Sequence, residues 1–273
     1  MSISLVNGRF ASSIDIDSRG LAYGDGLFET VLVNEGRALW LGEHLQRLSR
    51  GASRLQIPCD VAAITADCER LLADFCAGDA ILKIVLSRGV VGRGYSPLPA
   101  KTQRIISLLP APASSRQHWH KGVALGICQT KLARQPLLAG IKHLNRLEQV
   151  LAAGEMQRRG YIDGLVFDEA GKLIETTRSN VFIGTAGRLF TPGLNDCGVS
   201  GIMRQQLMVA AEALGMPVKE AAIEMSVLRE ADEVFICNSV IGIWPVTKIE
   251  CMHRAPGPIC RRLQREFESH FYA

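Results

Sequence analysis

The stretch Ile141-Lys142-His143-Leu144-Asn145-Arg146-Leu147-Glu148-Gln149-Val150 decides how this chain is read. The loop Pro136-Leu-Leu-Ala-Gly140 precedes it, and Leu144, Leu147, Val150 and Leu151 follow at helical spacing, so the pattern predicts a helix over residues 142–159 with Lys142 at its head. A side chain at a helix start leans back over the preceding turn, which aims the amine into whatever the loop encloses. Most lysines keep a hydrated ammonium at the surface, but one held at such a junction can be desolvated and used as a nucleophile or general base. Of the eight lysines in the chain, none of the others has comparable surroundings. Lys83, inside the apolar run Ala80-Ile-Leu-Lys-Ile-Val-Leu86, comes next, although a strand lysine usually points to solvent.

On the N-terminal side, residues 2–6, 29–34, 80–86 and 104–109 read as strands and residues 41–55 and 62–75 as helices, an α+β half. Pro110-Ala-Pro-Ala-Ser-Ser-Arg-Gln117 continues neither periodicity and reads as a linker. The expected organisation is a smaller domain over 1–110, a linker over 111–120, and a larger domain over 121–273 that carries Lys142. In that second half, strands at about 122–129, 163–168, 180–185, 233–238 and 242–249 alternate with helices at 142–159, 201–214 and 257–271.

The 273 residues are 47% hydrophobic and 21% charged, with a net charge of +4 spread along the chain and no Lys/Arg run or basic-aromatic interleaving of the kind nucleic-acid binders carry. The small excess reads as solubility, with room for a cationic pocket that takes an anionic ligand. Eight cysteines form no CxxC pair and no Cys/His spacing suited to zinc, so no metal is expected and the thiols read as reduced. No window reaches the ~20 apolar residues of a membrane span and no secretory leader is evident, so the expected location is cytoplasmic.

Other motifs supply chemistry. Glu175 lies in Leu173-Ile-Glu-Thr-Thr-Arg-Ser-Asn-Val-Phe182, where a strand breaks into a polar turn that Asn180 would brace. Val199-Ser-Gly-Ile-Met-Arg-Gln-Gln-Leu207 reads as a loop entering a helix, whose first amides, on Ile202 and Met203 after Gly201, can hold an anion. Arg47 lies in Glu43-His-Leu-Gln-Arg-Leu48, and Ser239 follows Ile236-Cys-Asn238.

Together these residues resemble fold-type-IV pyridoxal-phosphate enzymes, which include branched-chain and D-amino-acid aminotransferases and aminodeoxychorismate lyases. The resemblance runs from Asn7-Gly8 to Trp244-Pro-Val246, and Ala139 to Gln149, Ser87-Arg-Gly89 and Gly92-Arg-Gly-Tyr95 are similar to the lyase members. It implies an α+β / α/β fold of two domains joined by a short linker, with the active site between them, and pyridoxal 5'-phosphate as cofactor. Lys142 would carry the cofactor and then act as base, and Glu175 would pair with the pyridine nitrogen. Arg47, Gly201, Ile202, Met203 and Ser239 would hold the phosphate, and Asn180 the nearby turn.

The lyase-like motifs further imply conversion of 4-amino-4-deoxychorismate to 4-aminobenzoate and pyruvate for folate synthesis. A D-amino-acid or branched-chain aminotransferase is the alternative. A dicarboxylate substrate favours an arginine-rich pocket, for which Arg88, Arg93, Tyr95 and Arg178 are the candidates, with Thr30 serving the leaving group. A homodimer is expected from the family, as is a functional link to the synthase that makes the substrate.

Overall fold

Aliphatic and β-branched runs build two separate sheets in this chain. The structure, a computed structural model, describes residues 3–73, 75, 78–90, 94–97, 101–113 and 116–272. Ser2, Gly92, Arg93, Ser114 and Ser115, all named in the expectations above, lie outside the described residues. The chain divides into one unit of Met1–Ala113 with Ile141–Asn145 and another of Ser114–Gly140 with Arg146–Ala273. The segment bearing Lys142 therefore belongs, by its contacts, to the first unit.

The first unit contains β1 (Ile3–Val6), β2 (Arg9–Phe10), α1 (Arg19–Tyr23), β3 (Gly26–Asn34), β4 (Arg37–Ala38), α2 (Leu41–Arg54), α3 (Val61–Ala73), β5 (Ala80–Val90) and β6 (Lys101–Pro110). Its six-stranded antiparallel sheet runs β2-β1-β6-β5-β3-β4. Side chains alternate along β3. Leu27 meets α2 at Gly51, and Glu29, two residues on, meets Arg47 of the same helix, whereas Phe28 and Thr30 project to the opposite face.

The second unit contains α4 (Arg116–Lys121), β7 (Val123–Leu132), α5 (Leu147–Arg158), β8 (Asp163–Asp168), β9 (Leu173–Thr176), β10 (Asn180–Thr185), β11 (Arg188–Pro192) and α6 (Ile202–Ala213). It continues with β12 (Val218–Ala221), α7 (Met225–Glu230), β13 (Glu233–Asn238), β14 (Gly242–Ile249), β15 (Met252–His253) and α8 (Pro258–Phe271). Its sheet follows β12-β11-β10-β13-β14-β7-β8-β9, with β15 on β14. The β14–β7–β8 run is parallel, which places these strands inside a well-covered core. Phe182 of β10 and Phe235 of β13, paired directly across the antiparallel ladder, stack at 5.2 Å. Buried Glu233 accepts from the amides of Ile259 and Cys260, satisfying the exposed donors at the start of α8. No helix among the described residues is long and apolar enough to cross a membrane.

One expectation about local structure is corrected. The helix read as starting at Lys142 starts at Leu147. The Phe28 amide donates to the Lys142 carbonyl and the Leu144 amide donates to the Gly26 carbonyl, so residues 142–144 run as an extended partner of β3. Backbone groups engaged with a strand cannot close helical turns. The apolar periodicity is real but belongs to α5, where Leu147, Val150 and Leu151 are 76%, 62% and 63% exposed rather than packed in the core.

Candidate active site

In the first unit the pairing with β3 sets Lys142 opposite Phe28, and its Nζ lies 4.3 Å from the centre of the Phe28 ring. Lys142 is half-buried. An aromatic face beneath an ammonium attracts the cation and at the same time keeps water from one side of it. Thr30 lies two residues further along the same face and is half-buried as well.

The other face of β3 carries a group that the sequence reading did not single out. Glu29, 1% exposed, accepts from Arg47 Nε at 2.8 Å, from Arg47 Nη2 and from His44 Nδ1 at 2.6 Å. Burial works to raise the Glu29 pKa, but Arg47 and His44 outweigh it and hold the carboxyl below the usual range. Burial pushes His44 down, with the Arg47 and Lys142 charges assisting and Glu29 opposing. A neutral His44 thus donates from Nδ1 to Glu29. Its buried Nε2 has no partner among the described residues. A charge at an inward position of a strand is the signal that could have revealed Glu29 from the sequence.

In the second unit Glu175 lies one residue before the end of β9 and is 6% exposed. One carboxylate oxygen accepts from the Val199 amide at 2.9 Å and the other from Gln149 Nε2 at 3.5 Å. Asn180 Nδ2 donates to the Val199 carbonyl at 2.9 Å, so the two side chains grip one peptide segment from both of its polar sides. The same segment is pinned by Gly140, whose amide donates to the Gly198 carbonyl and whose carbonyl accepts from the Ser200 amide. Asp163, fully buried at its carboxylate, accepts from the hydroxyls of Thr176 and Thr177 and so sets the turn after Glu175.

The Val199–Gly201 segment leads directly into α6. No side chain caps that helix, no acidic residue occupies its first turn, and Ile202, Met203 and Arg204 are buried. A buried, uncapped helix start presents free amides to an anion. A Cβ on Gly201 would fall 2.0 Å from Asn180 Oδ1, so only glycine lets the backbone approach there. Ser239 is in the turn after β13, and Asn238 beside it donates to Ser179 Oγ at 3.1 Å, tying that turn to the one after Glu175.

The substrate candidates fare differently. Arg88 is buried, and its three nitrogens donate to Asp25 and to the carbonyls of Leu55 and Gln56. Arg19 donates to the same Asp25 Oδ2 that Arg88 reaches and to the carbonyl of Gly94 at 2.6 Å. Burial works to raise the Asp25 pKa, while hydrogen bonds from Arg88 and Arg19 hold it below the usual range. Tyr95 is 85% exposed, with its ring 5.4 Å from that of Tyr23. Arg178 donates to the Ile162 carbonyl, lies 3.6 Å from Asp163, and lines a cavity of about 370 Å³ with Thr177, Tyr161 and Met156.

Comparison with known proteins adds an independent line. The amino-transferase class IV family profile matches residues 26–249. An aminodeoxychorismate lyase of Vibrio harveyi is 36% identical over 95% of this chain and 97% of its own. A D-alanine aminotransferase of Listeria monocytogenes is 30% identical over 94% of this chain and 90% of its own. Among solved structures, the 4-amino-4-deoxychorismate lyase of Pseudomonas aeruginosa superposes with a TM-score of 0.93 at 43% identity, covering 97% of this chain and 98% of that one.

Proposed function

The chain belongs to the amino-transferase class IV family, and on that premise we propose that it is a pyridoxal-phosphate-dependent lyase converting 4-amino-4-deoxychorismate to 4-aminobenzoate and pyruvate. The observation that carries the choice of lyase is the 43% and 36% identity to two lyases over nearly the full chain, against 30% to the D-alanine aminotransferase. The fold is that of fold-type-IV enzymes. The residues fit the cofactor: an uncapped buried helix start with Gly201 suits its phosphate, and a buried carboxylate with an amide already on it suits its ring nitrogen.

When bound, pyridoxal phosphate withdraws the electron pair left on the substrate carbon that bears nitrogen. Lys142 would carry the cofactor, and its amine, when free, would remove the proton from C4 of the substrate ring. Phe28 packs against that amine and limits its hydration from one side. Glu175, held by the Val199 amide and Gln149, would accept a hydrogen bond from the ring nitrogen. Ile202 and Met203 would donate amides to the phosphate and Arg47 and Ser239 would add side-chain donors, while Asn180 fixes the segment leading into α6.

Loss of the C4 proton allows the C3–O bond to break, the enolpyruvyl group to leave and the ring to become aromatic. Thr30 hydrogen-bonds the departing oxygen. Arg93, Tyr95 and Arg178 are the proposed contacts for the substrate carboxylates, and Arg88 acts with Asp25 and Arg19 to hold the chain around Gly94. No keto acid takes part.

The proposed working form is a cytoplasmic homodimer supplied by the synthase that aminates chorismate. Support for association comes from the exposed Leu147, Val150 and Leu151 stripe on α5. The function is tested by following pyruvate with lactate dehydrogenase in a reaction containing aminodeoxychorismate and no added keto acid. Stoichiometric pyruvate is expected, and dependence of turnover on an added keto acid would favour the aminotransferase.

A further inference from the structure

We infer that Arg19 is a positioning residue that seats the Gly94–Tyr95 segment and through it sets KM for the substrate; the inference rests on the lyase reading and deepens it. Its base is α1. A Cβ on Gly20 would fall 2.8 Å from the Ser87 Cβ, so the helix lies directly against β5. Ser18, at the start of α1, donates from its hydroxyl to Gln103 Oε1 of β6 at 3.0 Å and bridges to Val90. Ser18 and Arg19 are both buried, so the root of the Arg19 side chain is fixed by the sheet beneath it.

A buried guanidinium must place its N–H donors, because an unpaired one in the interior is costly. Arg19 Nε donates to Asp25 Oδ2 at 2.8 Å, while Nη1 and Nη2 reach the carbonyls of Gly94 at 2.6 Å and Tyr95 at 3.5 Å. Asp25 is itself held by Arg88, whose other donors go to Leu55 and Gln56 just past α2. The fork is therefore anchored at one side, and its outer nitrogens grip main-chain oxygens whatever side chains the segment carries. Tyr23 completes the seat: its ring centre lies 4.9 Å from the Arg19 guanidinium carbon and 5.4 Å from the ring of Tyr95. Gly94 itself is at φ +87°, a conformation that glycine adopts without strain.

Tyr95 and its chain neighbour Arg93 are the proposed carboxylate contacts, so substrate meets a competent site only in molecules whose segment is seated. Apparent affinity then scales with the seated fraction. Removing the Arg19 fork lowers that fraction and leaves Lys142, Phe28 and Thr30 as they are, so the effect falls on KM and spares kcat.

The test uses the holoenzyme and its Arg19→Met, Arg19→Lys and Tyr23→Leu variants, with two readouts: steady-state kinetics on aminodeoxychorismate, and the rate of native-state tryptic cleavage after Arg93, located by mass spectrometry. Arg19→Met keeps the apolar stem and removes the fork. It is expected to raise KM about tenfold, as a seated fraction cut to about a tenth requires, with kcat within about twofold. Cleavage after Arg93 should speed up while cofactor retention stays at the wild-type level. Lysine carries the charge without the fork, so Arg19→Lys should fall between the two, and Tyr23→Leu should move KM and cleavage in the same direction. Should Arg19→Met fail to fold, these two carry the same comparison. Wild-type KM and cleavage in the folded variants overturn the inference, as does a fall in kcat with KM unchanged, and either result leaves the lyase reading intact. Faster cleavage in the variants of a protein that makes no 4-aminobenzoate leaves the seating standing and rejects the lyase reading.

Discussion

Glu29 grips Arg47 through two guanidinium nitrogens, inside the first unit and on the face of β3 opposite Lys142. Arg47 is thereby held by a partner that is itself fixed by His44. Its orientation is therefore set by the fold before any ligand arrives, which is the kind of preorganisation that binding sites need.

Glu29→Gln should therefore weaken pyridoxal-phosphate retention without touching the cofactor. It should also lower stability by about 3 kcal/mol, the usual consequence of leaving one member of a buried pair unmatched. Equilibrium dialysis of the cofactor and urea unfolding read the two effects. Wild-type values in both would show that Arg47 needs no brace.

The same group sets an acid limit. His44 titrates below 6.5 in the folded chain because it is buried, so as pH falls through 6.5 the unfolded state takes up the proton first and stability drops. Glu29, held below 4.5, contributes stability that is present above that value and is lost as pH falls through its lower folded pKa. Melting temperature should thus decline in two stages below pH 6.5. His44→Gln should remove the upper stage; a variant with the wild-type profile would place the titration elsewhere.

Gly201→Ala puts a methyl group onto Asn180 Oδ1. Because Asn180 holds the Val199 carbonyl, the clash displaces the segment that leads into α6. The expected loss is about 1 to 3 kcal/mol of stability together with weaker cofactor binding. Adding Asn180→Ala should recover part of the stability and none of the cofactor affinity. Full additivity of the two changes would mean the residues do not interact.

The chemistry of the chain was more legible than its geometry. Lys142, Glu175 and Gly201 stand out because few roles suit those residue types in those settings. Periodicity could not show that residues 142–144 pair with β3, because hydrogen bonds to a distant strand leave no mark on local spacing. The same blindness hid which face of α5 is exposed. Arg88 looked like a substrate arginine until its three nitrogens were found on Asp25, Leu55 and Gln56, residues remote from it in sequence. Glu29 was overlooked as one charge within an apolar strand, although that isolation was itself the clue.

Association is checked on the α5 stripe. Leu151→Glu puts a charge among exposed apolar side chains and should convert a dimeric mass to a monomeric one by light scattering, with activity falling alongside. A wild type that is monomeric and fully active at working concentration would contradict the homodimer.

The most direct test supplies purified holoenzyme with aminodeoxychorismate in one reaction and with D-alanine plus 2-oxoglutarate in another, and compares kcat/KM for 4-aminobenzoate formation with that for amino transfer. The account predicts that 4-aminobenzoate formation dominates and that Lys142→Ala abolishes it. Efficient amino transfer with no 4-aminobenzoate would contradict the lyase assignment and make the chain an aminotransferase of the same fold.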